Sequence, residues 1–218
     1  MLKKRWLQDP DLALYLPLYE LDGNSFMSRD PYGHLCTAIN AVWTPKGRVF
    51  DGTGDYVEGT NHPALNFTTG NFSILVWANV TNTTGGRMLF SRGLINTDGY
   101  LFIVGGTDAL YLYVNQAAAN QEHHSPINTV LLGSPHLYTV VRKGTTTWFY
   151  RDDTDLTSSA AAFNNPLTSA RTFKIGCKDD KASNPFLGTI GEVMVFNSDL
   201  SPIEVQQNYL ATKWRYQG

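Results

Sequence analysis

Two pairs of aromatic residues have a spacing that can form a flat binding surface. Tyr111 and Tyr113 are two positions apart, and so are Trp148 and Tyr150. Side chains two positions apart in a β-strand point to the same face of the sheet, so each pair would present its rings side by side. Amide, imidazole and guanidinium groups nearby would add hydrogen bonds at the rim. One alternative is that one pair lies in the core and the other is exposed, and another is that the tyrosines pack between two sheets. The predicted binding set is Tyr111, Tyr113, Asn115, His123, His124, Arg142, Trp148 and Tyr150.

The sequence lacks the motifs of common catalytic sites. It contains no Gly-x-Ser-x-Gly elbow, no His-Glu-x-x-His zinc motif and no glycine loop that would cradle phosphate. Its acidic clusters, at 152–155 and 179–180, fall in predicted loops, where carboxylates cap turns. If His123 and His124 lay in a strand, they would point to opposite faces and could not easily bind one metal ion. The favoured interpretation is that both lie in an exposed loop. We therefore expect a protein without enzymatic activity.

Charge and composition exclude several classes of partner. The chain has 218 residues and a net charge of −2, and only 17% of its residues are charged. A chain so close to neutral does not attract nucleic acid or an anionic membrane surface over long range. No apolar run approaches the ~18–20 residues of a membrane span. We expect neither nucleic-acid binding nor membrane insertion.

The N-terminal segment and the two cysteines bear on the compartment in which the protein functions. The basic run at 3–5 resembles the start of a signal peptide, but the acids and proline at 9–11 interrupt the apolar run that should follow. No signal peptide is therefore predicted, and the localisation stays open. Cys36 and Cys177 do not have a metal-ligand spacing. Two buried free thiols are favoured, with a disulfide bond between them as the alternative.

Short apolar segments separated by turn residues indicate about ten strands, the spacing of an antiparallel sandwich or jelly roll. Trp77, on an alternating strand, is predicted to fill the core, with a partner for its indole N–H. Residues 201–204, SPIE, form a capping box with proline at the first helical position and predict a helix to about residue 212. Its Ile203, Leu210 and Trp214 would pack against the sandwich. The predicted strands cover residues 12–19, 56–59, 71–80, 87–92, 100–105, 109–115, 136–143, 146–152, 171–177 and 188–197.

Several segments resemble, in order, those of the laminin-G-like, concanavalin A-like jelly rolls. Residues 50–57, FDGTGDYV, resemble the F-D-G-x-x-D-Y-V signature of this superfamily. Residues 14–20 resemble its opening strand, residues 30–34 a shortened form of the loop that follows, and residues 72–77 its F-T-I-S-x-W strand. Residues 186–197, FLGTIGEVMVFN, resemble its closing strand, in a version similar to the pentraxin branch.

The resemblance implies a fold and a domain organisation. The fold is an all-β, antiparallel sandwich jelly roll with a short C-terminal helix. It forms a single domain over residues 1–218, with residues 1–11 as an extension and residues 201–212 as the helix. The superfamily contains glycoside hydrolases, whose two carboxylates lie about 5–5.5 Å apart when they retain configuration. This sequence has no E-x-D-x-E or E-x-D-x-x-E strand of the laminarinase type.

Three functions follow from the resemblance. The favoured one is a non-catalytic, lectin-like module that binds a carbohydrate or a surface glycoconjugate. The alternative is a structural or adhesive decoration protein of a virion or cell surface. Its basic and aromatic segments at 3–7 and 213–216 would contact neighbouring structural subunits. A glycoside hydrolase or polysaccharide lyase with an unfamiliar site is less favoured.

Calcium is the cofactor that the resemblance most often implies. Its ligands are carboxylate and carbonyl oxygens, here drawn from the opening loop and the closing strand. The candidate side chains are Asp22, Asp30 and Glu192, although glycine occupies position 191, where an aspartate is common. Asp179 and Asp180 form a second candidate loop. The alternative is that these acids cap turns.

Overall fold

Two antiparallel sheets pack face to face in the structure, a computed structural model that describes residues 9–68, 70–116, 119–158 and 164–217. Within these ranges one α-helix, α1 (Pro202–Thr212), follows the last strand. The strands are β1 (Leu12–Leu16), β2 (Ser25–Met27), β3 (Leu35–Ile39), β4 (Val42–Thr44), β5 (Gly47–Asp51), β6 (Tyr56–Gly59), β7 (Phe72–Val80), β8 (Arg87–Arg92), β9 (Tyr100–Val104), β10 (Leu110–Gln116), β11 (Ala119–His124), β12 (Pro135–Lys143), β13 (Thr146–Arg151), β14 (Thr154–Asp155), β15 (Phe173–Ile175) and β16 (Leu187–Phe196).

Chain-distant strands pair within each sheet, which is typical of a jelly roll rather than of a simple meander. Sheet A has the order β14-β13-β12-β7-β16-β5-β4, and β1 also pairs with β16. Sheet B has the order β11-β10-β9-β8-β15-β6-β3-β2. The all-β sandwich and the short C-terminal helix predicted from the sequence are confirmed. No helix among the described residues is long and apolar enough to span a membrane.

The inner faces of the two sheets form the main core. On β7, Phe72, Ile74, Val76 and Ala78 point inward, as their alternation predicts, and each is at most 1% exposed. Strand β10 of sheet B contributes Leu110, Leu112 and Val114, again at alternate positions. Period-two alternation thus separates each strand into an inner and an outer face.

Helix α1 covers the outer face of sheet A. The capping box between Ser201 and Glu204 is present, with Pro202 at the first helical position. The indole N–H of Trp77 donates to Oγ1 of Thr212 at 2.8 Å, which confirms that this buried ring has a partner. Since Trp77 points outward from sheet A, it fills a second apolar cluster beneath the helix.

The predicted contact face of α1 is wrong. Val205, Asn208 and Thr212 are buried against the sheet, whereas three apolar side chains point to solvent. These side chains are Ile203, Leu210 and Trp214, with exposures of 66%, 41% and 66%. Helical spacing alone predicts the wrong face, because the positions that contact the sheet include the polar residues Asn208 and Thr212, and Thr212 accepts the hydrogen bond of Trp77.

The ten predicted strands are present, and the described part of the chain contains six further strands that were not predicted. β2 to β5, β11 and β14 are short or polar. Cys36 and Cys177 are both buried and free, so the prediction of two free thiols is confirmed. Of the predicted N-terminal extension, residues 1–8 and the basic segment within them lie outside the described residues.

Candidate functional site

A row of side chains crosses the outer face of sheet B from strand to strand. In the register of the sheet, Tyr113 pairs with Glu122 on one side and with Leu101 on the other. Directly paired residues in antiparallel strands point to the same face, and neighbouring strands lie about 4.8 Å apart. The pairing therefore aligns one continuous row, which we call the outer row: Glu122, Tyr113, Leu101, Ser91, Lys174, Glu58 and Thr37.

Three rings form an aromatic platform at one end of the outer row: Tyr111, Tyr113 and His124. The rings of Tyr111 and Tyr113 stack with centroids 6.1 Å apart and an interplanar angle of 16°. His124 lies opposite Tyr111 on β11, at a ring distance of 5.0 Å. Both tyrosines are partly exposed, and His124 is exposed. The platform is therefore accessible from solvent.

A small apolar cluster holds the platform rigid from below. Met88, Leu101 and Ile103 are at most 6% exposed, and the two tyrosines pack against them. Burial raises the pKa of Tyr113, and the neighbouring carboxylate of Glu122 raises it further. Because the phenol stays protonated, its hydroxyl remains a hydrogen-bond donor.

A pocket of about 170 Å³ adjoins the platform, and we call it the outer pocket. Leu101, which pairs with Tyr113, lines it together with Ile95. Its polar wall is the loop after β15, which contributes Lys178, Asp179, Asp180 and Ser183. The platform and this loop are far apart in sequence, and the sheet brings them side by side.

Ion pairs occupy the other half of the outer row. The buried ammonium of Lys174 lies 2.7 Å from Asp179 and 3.6 Å from Glu58. Arg171 also pairs with Asp179, at 2.6 Å, and Lys181 pairs with Glu58, at 2.8 Å. Burial opposes ionisation of Glu58, but hydrogen bonds from Lys181 and Thr172 dominate and lower the pKa of this carboxyl.

The structure separates the two predicted aromatic pairs. Trp148 and Tyr150 lie on the outer face of sheet A, in the apolar cluster that α1 covers, and Tyr150 is 4% exposed. Tyr111 and Tyr113 lie on the outer face of sheet B. The whole sandwich stands between the two pairs, so they cannot form one site.

Three further residues of the predicted binding set are buried. Arg142 points between the sheets at one end, where the carbonyl of Gly70 and the Asn164–Asn165 segment accept its hydrogen bonds. Asn115 has no exposed surface. His123 lies in β11 and packs edge-on against Phe149 at 5.4 Å, so the exposed-loop interpretation of the histidine pair is wrong. The strand β11 turns His124 outward and His123 inward.

The first set of candidate calcium ligands is not brought together. Asp30 accepts hydrogen bonds from the backbone N–H groups of Tyr15, Tyr32 and Gly33. Buried Glu192 accepts from the Tyr15 hydroxyl at 2.7 Å and pairs with Arg215 at 3.1 Å. Asp22 is exposed.

The second calcium candidate is a loop whose carboxylates already have partners. Asp179 faces Lys174 and Arg171. Burial alone would raise the pKa of Asp180, but hydrogen bonds from Ser183 and Ala182 lower it. No group of three or more His, Cys, Asp or Glu side chains able to hold a metal ion occurs among the described residues. Calcium stays a prediction for these residues.

Sequence reasoning missed several residues of the outer face. Glu122 was not named because β11 was not recognised as a strand, and Leu101 and Ser91 were not named because cross-strand pairing cannot be read from the chain. Lys174 was missed for the same reason. Residues 100–104 and 110–116 both alternate and are close in sequence, so they could have been recognised as a hairpin. The register of that hairpin pairs Leu101 with Tyr113.

The two antiparallel sheets of the sandwich form a lectin-like jelly-roll fold. The chain belongs to the concanavalin A-like lectin/glucanases superfamily, whose family model matches residues 51–206. The resemblance predicted from the sequence is thereby confirmed. A comparison with curated proteins finds no match.

Solved structures with the same fold are larger proteins of low identity. The botulinum neurotoxin serotype D binding domain has a TM-score of 0.70 and 12% identity, over 92% of this chain and 52% of that one. The botulinum neurotoxin type G receptor binding domain has a TM-score of 0.68 and 12% identity, over 93% and 51%. Trypanosoma rangeli sialidase has a TM-score of 0.67 and 16% identity, over 95% and 34%. The chain thus spans about half of the toxin domains and about a third of the sialidase.

Proposed function

We propose that this protein is a non-catalytic binding module that holds a carbohydrate or a surface glycoconjugate on the outer face of sheet B. The observation that carries the proposal is the aromatic platform. Stacked, accessible rings offer a flat apolar surface to the apolar face of a sugar ring, and their hydroxyls supply hydrogen bonds at the edge. Such a surface with convergent polar groups is the usual design of a small-molecule site.

Polar groups of both signs surround the platform. Glu122 pairs with Tyr113 across the strands, and Lys178 and Ser183 line the outer pocket beside Leu101. Carboxylate, ammonium and hydroxyl groups together can satisfy both the donors and the acceptors of sugar hydroxyls. The apolar cluster below the platform keeps the rings in one orientation, which reduces the entropy lost on binding.

The carboxylates near the platform support binding without catalysis. Asp179 faces two cations, and Asp180 is engaged by Ser183 and Ala182. Glu122 is then the carboxylate left beside the rings, whereas glycoside hydrolysis uses a pair. The superfamily contains both binding domains and glucanases, and the similar structures comprise toxin receptor-binding domains and a sialidase. We therefore assign the activity by the site and not by the fold.

A glycan array followed by calorimetry tests this proposal. We expect at least one glycan hit, and the change Tyr113→Ala should weaken its binding roughly tenfold. Tyr32→Ala is the matched control, because Tyr32 is an exposed tyrosine near the opposite edge of sheet B. The absence of any hit, or equal affinity of wild type and Tyr113→Ala, would refute the proposal. Turnover of a polysaccharide that is lost on changing Glu122 would instead establish an enzyme.

The exposed side of α1 and of the turn that follows it favours a second candidate, a structural or adhesive unit of a virion or cell surface. Ile203, Leu210 and Trp214 place apolar side chains in solvent on one side of the molecule. Apolar and aromatic side chains of this kind are enriched in interfaces between subunits. Analytical ultracentrifugation at increasing protein concentration tests this candidate by measuring whether the chain associates with a second copy of itself. Self-association lost in Trp214→Ala would support it, and a strict monomer would contradict it.

A further inference from the structure

A second pocket lies on the opposite side of the molecule, on the outer face of sheet A. Its volume is about 80 Å³. Trp77 and Asn79 of β7, Thr189 and Gly191 of β16, Lys46 of the β4–β5 turn and Tyr216 of the C-terminal segment line it. We call it the rear pocket. It shares no lining residue with the outer pocket, so it is independent of the proposed glycan site.

A β-bulge creates the rear pocket. The register between β7 and β16 shifts between Ile190 and Glu192, which leaves Gly191 as the extra residue. A Cβ atom at Gly191 would overlap the ring of Tyr216. The missing side chain therefore lets Tyr216 lie against the sheet and stack on Trp77, with ring centroids 4.5 Å apart. Bulges are frequent beside binding sites because they redirect side chains locally.

Two buried polar atoms of the lining residues stand out. Oδ1 of Asn79 has no hydrogen-bond partner among the residues that the structure describes. The hydroxyl oxygen of Tyr216 can accept from the guanidinium of Arg215, which leaves its O–H free to donate. A buried polar atom without a partner costs about 1–3 kcal/mol, so such atoms are uncommon in folded proteins. Burial and the nearby carboxylate of Glu192 raise the pKa of Tyr216 well above its ordinary value, so its hydroxyl stays a donor.

The charge of the rear pocket is positive. Lys46 is the charged residue among those that line it, and it has no ion pair within the described part of the chain. The buried carboxylate of Glu192 nearby is already paired with Arg215. An ammonium and a phenolic hydroxyl can both donate to a carboxylate, whereas the carbonyl of Asn79 needs a donor.

We propose that the rear pocket binds a small hydroxycarboxylate. The carboxylate accepts hydrogen bonds from Lys46 and Tyr216, the hydroxyl donates to Oδ1 of Asn79, and the carbon atoms contact Trp77. A volume of about 80 Å³ is roughly half that of the apolar cavity of about 150 Å³ that binds benzene, so the enclosed part of the ligand is no larger than a few heavy atoms. Two sources have this chemistry: a free hydroxy acid, and the carboxylate end of an acidic sugar.

Two-dimensional NMR of the full chain tests the proposal through the indole N–H of Trp77. We expect saturable shifts of this signal with sodium glycolate, the probe for a free hydroxy acid, or with sodium glucuronate, the probe for an acidic sugar. Sodium chloride at equal ionic strength and glucose are the controls and should cause no saturable shift. A response to glycolate alone would identify the ligand as a free hydroxy acid. A response to glucuronate would show that the pocket also accepts the carboxylate end of an acidic sugar.

Four variants make the result specific. Lys46→Met should weaken binding roughly tenfold, the cost of one hydrogen bond to a charged group, whereas Lys143→Met, on an exposed lysine elsewhere, should not. Asn79→Asp keeps the shape of the side chain and should abolish binding by repelling the ligand carboxylate. Tyr113→Ala should leave the titration unchanged, which separates this site from the proposed glycan site. No saturable shift up to about 0.1 M, or equal binding by Lys46→Met and wild type, would overturn the proposal.

Discussion

The change Arg215→Met should destabilise the protein strongly through the carboxylate of Glu192. Glu192 has no exposed surface, the side chain of Arg215 is 11% exposed, and their closest atoms are 3.1 Å apart. Removing one partner of a buried ion pair leaves a charge without its counter-charge in a medium of low dielectric constant, which costs about 3–5 kcal/mol. The guanidinium also lies 4.0 Å from the ring centroid of Tyr19, a contact that methionine replaces only in part.

Equilibrium unfolding in urea, followed by tryptophan fluorescence, measures this loss. For a protein of this length, 3–5 kcal/mol corresponds to a fall in Tm of roughly 6–20 °C. Arg29→Met is the matched control, because Arg29 is exposed, and it should change the unfolding free energy by less than about 0.5 kcal/mol. A loss of less than about 1 kcal/mol in Arg215→Met would refute the reasoning.

The double variant Glu192→Gln/Arg215→Met separates the charge from the packing. Glutamine keeps an acceptor for the Tyr15 hydroxyl but carries no charge, so the double variant should be more stable than Arg215→Met alone. The double-mutant cycle then gives the coupling energy of the pair. If the stability losses of the two single variants add up to the loss of the double variant, the two charges are not coupled, which would contradict the ion pair seen in the structure.

Three further predictions concern other parts of the fold. Burial lowers the pKa of His34 below 6.5, so stability present above that pH should be lost as the pH falls toward the lower folded pKa. Urea unfolding of His34→Gln at several pH values should give an unfolding free energy that changes less with pH in this window than that of the wild type. An equal pH dependence in the two proteins would contradict the assignment. Gly191→Ala should displace Tyr216 and lower stability by about 1–3 kcal/mol, whereas Gly106→Ala, whose Cβ has room, should be near neutral in the same assay. If calcium binds at Asp30, Ca²⁺ but not Mg²⁺ should raise Tm, and Asp30→Asn should remove the rise; no rise in wild type would reject this ion.

Long alternating strands were predictable because each carries its own pattern. β7 and β12 have nine residues each, and in both strands the apolar residues of the main core recur at every second position. β5 was missed because its GRVFD sequence contains Arg48 at a buried position. The carbonyls of Ala41 and Leu21, which accept from that guanidinium, lie 7 and 27 residues away in loops outside β5, so the pattern of the strand itself does not reveal them.

The candidate site was predictable only in part. The spacing of Tyr111 and Tyr113 correctly places their rings on one face of one strand. The same spacing cannot tell which sheet a strand joins, so it does not show that Trp148 and Tyr150 are the pair covered by α1. Burial of Arg142 depends on the carbonyl of Gly70, a contact between distant segments. Local spacing thus predicts which side chains share a face of a strand, whereas predicting which residues form a site together requires the topology of the sheets.

The outer row gives the face of sheet B a direction. Aromatic and apolar side chains stand at the β10–β9 end, and the Lys174 ion pairs stand at the β15–β6 end. Under the proposed function, a glycan that reaches from the platform toward the loop after β15 would have rings beside one end and the charged groups of Lys178 and Asp180 beside the other. Turning such a glycan end over end would exchange its apolar and polar contacts.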